Sequence, residues 1–286
     1  MYSFPLVPSF SPWSVTAQFL DYVSDYLSHL EKALSTETPF RKGRSGMHLS
    51  DTRAAQFTSL MRSVKPTEKS GKYLAPPATH PRTRLWAEVS GDKNDVHINP
   101  KKPHPLFGGL IAHGMDPTTS ALVALKKHLR GSKLIPSHVA LTFWNPLLLD
   151  EGPTPLITIV IPEGEPFRRR ITVTAGLTTE NEPKKVITLE VMLHEGILAD
   201  RHWLETTVSG WRISTLLAET WAGCLFYSLS LSFPQSSKKT KRLVTEVRGV
   251  GRTEKGHGRV EVMTHDGRGN VLTKGMATIV LPRKSR

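Results

Sequence analysis

The sequence predicts an α+β fold in which one helix followed by a run of four antiparallel strands occurs twice, each sheet wrapping a central helix. Three observations carry this. Apolar residues recur at helical spacing at two separated places, period-two apolar runs follow each of them, and turn-forming clusters divide those runs. In the first pass the helix covers about 117–129, and the strands are expected at 137–144, 155–161, 170–178 and 185–194. The last two are parted by Glu180-Asn181-Glu182-Pro183.

The second pass opens with a short strand at 203–208 and a helix at 211–221. Strands at 225–233, 243–252, 259–265 and 271–281 follow, the last pair joined by Asp266-Gly267-Arg268-Gly269-Asn270. Repetition at this length is a tandem duplication and is too long for a solenoid. The glycines of Gly249-Val250-Gly251-Arg252 and Gly256-His257-Gly258 lie between strands with no helix after them, so they read as a hairpin turn and exclude a nucleotide loop.

Ahead of the first pass, Phe19, Leu20, Val23, Leu27, Leu30 and Leu34 predict an amphipathic helix at 15–34. Residues 35–81 are polar and broken by Pro66, Pro76, Pro77 and Pro81, which predicts long loops with a short helix near 52–61. The expected organisation is a helical and loop extension at 1–78, a first repeat at 79–198 and a second at 199–286.

Composition narrows the function classes. The 286 residues are 38% hydrophobic, and no apolar run approaches the roughly 18 residues of a membrane span. Cys224 is the single cysteine, so an internal disulfide and a cysteine metal cluster are both excluded, which fits a reducing compartment. Residues 1–40 hold no arginine, one lysine and four acids, unlike a transit peptide, and they lack the apolar core of a secretory signal. Lys284-Ser285-Arg286 is not a convincing peroxisomal tail, and cytoplasm is the expected location. A formal charge of +13 draws polyanions. The basic clusters Arg168-Arg169-Arg170 and Lys238-Lys239-Thr240-Lys241-Arg242 carry no interleaved aromatics for stacking bases, so they read as solvated loop charges and nucleic acid is not an expected partner.

The chemistry concentrates in Ser90-Gly91-Asp92-Lys93-Asn94-Asp95-Val96-His97-Ile98-Asn99-Pro100, where acids, carboxamides and a histidine stand together in a basic chain. The stretch from Trp86 to Pro100, followed by Phe107-Gly108-Gly109-Leu110-Ile111-Ala112-His113-Gly114-Met115, resembles the two-block signature of the MaoC-like, hot-dog-fold hydratases and dehydratases, which include the (R)-specific enoyl-CoA hydratases. The motif covers about thirty residues. The architectural resemblance runs from about residue 79 to the C-terminus, as a tandem hot-dog whose second repeat lacks the Asp/His pair.

The resemblance implies addition of water to a 2-enoyl thioester, or its removal from a 3-hydroxyacyl thioester. Asp92 and His97 would form the water-activating dyad, the Gly114 amide would donate to the thioester oxygen, and Asn94 would help hold the loop and the water. Such chemistry needs a base, an acid and an oxyanion donor. It implies no metal and no cofactor besides the substrate's own carrier, either coenzyme A or the phosphopantetheine of an acyl carrier protein. Lys101 and Lys102 are expected to meet carrier phosphates, and a homodimer is compatible with the fold. Ser90 and Asn99 read as loop hydrogen-bonders, His113 as a residue ordering its turn, and His104 as exposed.

Two departures from the family pattern carry expectations. Asp95 stands where a proline is usual and would bring a second negative charge to the dyad, raising the pKa of His97. Asp116-Pro117 reads as an N-cap and first helical position, which would start the central helix two residues late and leave Gly114 outside it. The rival readings are a hot-dog thioesterase in which Glu219 attacks or activates water, and a degenerate, non-catalytic acyl-binding module.

Overall fold

The computed structural model describes residues 42–48, 63–102, 107–150, 154–175, 183–196, 199–221, 224–234, 242–266 and 268–280. The helices expected at 15–34 and 52–61, His104 and residues 238–241 lie outside the described residues.

Among the described residues, eleven strands form one antiparallel sheet. In chain order they are β1 (Lys42–His48), β2 (Lys65–Pro66), β3 (Lys72–Leu74), β4 (Leu134–Phe143), β5 (Leu156–Val160), β6 (Arg168–Ala175), β7 (Lys184–Glu195), β8 (Leu225–Ser232), β9 (Arg242–Arg252), β10 (Gly258–Asp266) and β11 (Val271–Val280). Among the described residues, four helices accompany them: α1 (His80–Ser90), α2 (Asp95–Ile98), α3 (Met115–His128) and α4 (Ala199–Thr220). Eight of the nine strands expected after residue 130 are present within two or three residues of their expected ends.

The spatial order is β1-β9-β10-β11-β8-β4-β7-β6-β5-β3-β2. Strands β4 to β7 lie as β5-β6-β7-β4 and strands β8 to β11 as β9-β10-β11-β8, and the two runs meet where β4 pairs with β8. The sequence reading expects a sheet for each half; the structure fuses them into one. Apolar cross-strand pairs hold the seam, Val139 opposite Leu231 and Leu141 opposite Leu229, all four buried. Beside them the His138 ring lies between the hydroxyls of Ser232 at 3.1 Å and Ser230 at 3.3 Å.

Alternation decides which face is covered. In β7, Val186 and Ile187 begin a run in which Leu189, Val191 and Leu193 are buried and the residues between them are partly exposed. These side chains join Ile157, Ile171 and Val173 of the neighbouring strands in one core with Ala121, Ala124 and Leu125 of α3 and Ile213 and Leu217 of α4. Each of the larger aliphatic side chains contributes about 1.5–3 kcal/mol when fully withdrawn from water. The sheet is also sensitive to small additions: a Cβ at Gly275 would collide with the Ser230 carbonyl on the paired strand.

Three expectations give way here. The strand expected at 203–208 and the helix at 211–221 are one continuous helix, α4, from Ala199 to Thr220. Gly210 sits mid-helix, where a Cβ would lie 2.5 Å from Met115 Cε; the small residue lets α4 approach α3. Trp211 then donates from its indole to Thr119 Oγ1 at 2.9 Å and packs edge-on against Trp86, ring centroids 4.9 Å apart.

Residues 35–81 are not all loop, since β1 adds to the sheet on β9 and β3 adds on β5 at the other end. Short strands of this kind carry almost no periodicity to read. Gly249 to Arg252 belong to β9, and the hairpin turn falls one step later, where Gly256 N–H donates to Thr253 O at 2.8 Å.

Candidate active site

The path to the site begins at α1. Thr79 caps it by accepting from the Arg82 N–H, and Gly91 ends it in the left-handed region at φ 83, its N–H donating to Ala87 O. That conformation reverses the chain and carries Asp92 inward. Ser90 fixes the turn by donating to Trp86 O at 2.7 Å and accepting from Asp92 N–H at 3.1 Å. Asp92 Oδ1 in turn accepts from Asn94 N–H at 3.2 Å, an Asx turn that starts α2 and brings His97 to the same side.

The second motif block locks onto the first. Ile111 N–H donates to Val96 O at 3.1 Å, and His97 Nδ1 lies 2.9 Å from Ile111 O. A carbonyl only accepts, so Nδ1 carries a proton, and it is Nε2 that holds the lone pair whenever the ring is neutral. His97 therefore offers a base.

Asp92 is 3% exposed and His97 8%, both on the wall of a cavity of about 250 Å³. Asp92 Oδ2 accepts from Ser214 Oγ at 3.1 Å and lies 3.5 Å from His113 Nδ1. The His113 ring is stacked at a tilt on His97, centroids 4.0 Å apart, and its buried Nε2 has no hydrogen-bond partner. Burial works to raise the Asp92 carboxyl pKa. The hydrogen bond and electrostatic pull of His113, the pull of His97 and the Asn94 amide together outweigh burial and hold it below the ordinary carboxylate value. Asp92 is thus an anion at neutral pH, set against the rings of His97 and His113.

The rest of the cavity is mostly apolar. Phe143 and Phe226 stack at 5.6 Å between ring centroids and line it with Leu147, Leu217 and Val280. Cys224 lies on the same wall, its thiol pushed up to about 12 by burial and then by the negative charge of Asp92. Gly114 lines the cavity as the N-cap of α3, and a Cβ there would lie 2.7 Å from the Phe143 ring, so glycine is required for the ring to close over this end. The first-turn amides of a helix have no intrahelical acceptor and present the positive end of its dipole.

The structure places the remaining expected residues as follows. Asn94 lines the cavity beside Asp92. Lys101 and Lys102 are exposed and are not among the lining residues; Lys102 Nζ instead pairs with Asp95 Oδ2 at 2.7 Å. Asp95, held low by hydrogen bonds from Lys102 and Asn99, faces that lysine, so it brings no negative charge to the dyad.

Helix α3 begins at Met115, not two residues later. Asp116 is no cap; it makes a two-point ion pair with Arg82 of α1 while the missing N–H of Pro117 falls where none is needed. Glu219, the residue of the thioesterase reading, is exposed on α4 and is not among the residues lining this cavity. Two contributors went unread in the sequence. His113 was read as ordering a turn but touches both Asp92 and His97, and Ser214 reaches Asp92 from 122 residues away, with no local signal.

Among the described residues, Asp92, His97 and His113 are also a group whose donor atoms, all within 4.8 Å of one another, could hold a metal ion. No described helix is long and apolar enough to cross a membrane.

No protein-family model matches the sequence, and no curated protein matches it. Solved structures do match its fold. A MaoC-like dehydratase aligns with TM-score 0.52 at 10% identity, over 74% of this chain and 98% of that one. The tesB protein of Mycobacterium avium subsp. paratuberculosis aligns with TM-score 0.50 at 8% identity, over 80% and 99%. An acyl-CoA thioesterase II of Mycobacterium marinum aligns with TM-score 0.49 at 7% identity, over 80% and 98%. At these identities the likeness establishes the hot-dog fold and nothing finer.

Proposed function

We propose that this chain is a tandem hot-dog enzyme that adds water to a 2-enoyl thioester, or removes it from the 3-hydroxyacyl product. In this reading the repeats fall at 79–198 and 199–286 and the first carries the dyad. The observation that supports it most is the buried pairing of an anionic Asp92 with His97, whose Nδ1 holds its proton against Ile111 O and leaves Nε2 as the basic nitrogen, at the polar end of an apolar cavity. Such a pair can grip one water between two acceptors, in a medium where charge is poorly screened.

In hydration, a water proton passes to the Asp92 and His97 pair as the water oxygen bonds to C3. The C2=C3 π electrons move to C2 and the thioester oxygen, and the pair returns a proton to C2, so the net change is H on C2 and OH on C3. Gly114 N–H donates to the oxygen that gains charge. Ser214 and His113 position Asp92. The reaction asks for no metal, so it should survive treatment with a chelator.

The test is incubation of purified protein with short, medium and long trans-2-enoyl-CoA thioesters, with chiral analysis of the product. Formation of (R)-3-hydroxyacyl-CoA supports the reading. Release of free coenzyme A without hydration replaces it with thioester hydrolysis, and loss of hydration after chelation replaces the metal-free mechanism.

A further inference from the structure

The cavity opens beside an aromatic residue that the reaction does not use. Trp144 follows β4 and is 54% exposed, yet it is tied to the neighbouring strand. Its indole donates to Thr188 Oγ1 at 3.0 Å, its backbone N–H to Val186 O at 2.9 Å, and the Lys185 ammonium lies 5.1 Å from the ring centroid. The next residue, Asn145, ties this segment down by donating from its carboxamide to Lys185 O at 2.8 Å. Trp144 and the 40% exposed Tyr227 both line the cavity that holds Asp92 and His97.

Leaving so large an apolar ring in water costs stability, and fixing it there by two hydrogen bonds and a cation is the arrangement expected of a stacking platform. Lys185 is exposed and puts positive charge at the same lip.

The geometry points to Trp144 as the seat of the adenine ring of a coenzyme A carrier, with Lys185 beside its phosphates. This rests on the acyl-thioester reading and deepens it, because it selects coenzyme A over a carrier protein. A carrier protein presents only the pantetheine arm and has no base to stack. It also assigns the carrier's phosphates to a different site from Lys101 and Lys102.

Binding of adenosine 3′,5′-bisphosphate, followed by tryptophan fluorescence and calorimetry, tests it without turnover. The full-length protein should bind it, Trp144→Ala should weaken binding roughly tenfold, and Trp144→Phe should keep most of it. Lys185→Ala should weaken binding and flatten its salt dependence. Equal affinity in wild type and Trp144→Ala overturns the assignment, as does equal turnover of pantetheine and coenzyme A thioesters. Loss of a dimer in Trp144→Ala with nucleotide affinity unchanged also overturns it and makes Trp144 a contact between copies. The two readings fail separately: nucleotide binding through Trp144 without hydration sinks the hydratase, and hydration indifferent to the nucleotide sinks the platform.

Discussion

Breaking the ion pair between Arg82 and Asp116 should destabilise the fold strongly and in a partner-dependent way. The guanidinium meets the carboxylate at two points, Nε to Oδ2 being 2.7 Å, and the side chains are only 11% and 7% exposed. Removing one partner of such a pair strands a buried charge, at about 3–5 kcal/mol. The two single variants should differ. In Arg82→Met the stranded carboxylate still sits in the first turn of α3, where the helix dipole returns about 0.3–1 kcal/mol, so the loss should fall near 3 kcal/mol. In Asp116→Ala the stranded guanidinium faces the positive end of that dipole, and the loss should lie at the upper end.

The double variant Arg82→Met with Asp116→Leu leaves neither charge and should recover most of the stability. Urea unfolding reads this directly; with a slope of roughly 3 kcal/mol per molar for a chain of this size, Arg82→Met should move the midpoint down by about 1 M. If either single variant loses less than about 1 kcal/mol, or the two losses simply add in the double, the pair does not hold the start of α3 as argued.

Ser214→Ala removes a donor from Asp92, so the carboxyl pKa rises toward the ordinary value and the acid limb of the hydration pH profile should move to higher pH; an unmoved limb would show that Ser214 does not position Asp92. Because the folded-state pKa of Asp92 is depressed, its contribution to stability is present above the unfolded carboxylate pKa and lost as pH falls through the folded one. Urea midpoints measured down that acid range should therefore decline less steeply in Asp92→Asn, and an identical decline counts against an ionised Asp92. Cys224, pushed up to about 12, should be inert to thiol reagents at pH 8 in the native protein and react on unfolding. It should label faster in Asp92→Asn, where the second cause of its shift is gone; equal native and unfolded rates would contradict the buried placement.

Strands were legible because their signal is local. Alternation in 184–195 and the Asp266 to Asn270 turn mark β7 and the β10–β11 hairpin without help from the rest of the chain; in that turn Asp266 accepts from Arg268 N–H at 2.8 Å and Asn270 N–H at 2.9 Å. Helix α4 was misread because the sequence reading split it at Ser209-Gly210 into a strand at 203–208 and a helix at 211–221; Gly210 stays inside the helix, where it lets Met115 of α3 approach. Asp92, Asn94, His97 and Gly114 were legible because a motif gathers them in sequence, and the structure does bring them to one cavity. Ser214 was not, since its bond to Asp92 spans 122 residues. Lys101 and Lys102 were assigned by charge alone, and charge does not say which way a lysine faces; Asp95 claims Lys102. Asp116 was read as a cap because its partner, Arg82, lies 34 residues upstream.

The central claim is that Asp92 and His97 act together on one water, and the kinetics of Asp92→Asn, His97→Ala and the combined variant test it most directly. Groups that act as a unit are not additive. The account predicts that each single substitution removes nearly all enoyl-thioester hydration and that the double variant is no worse than the poorer single. Losses that multiply in the double variant, or a single variant that keeps wild-type turnover, would contradict it.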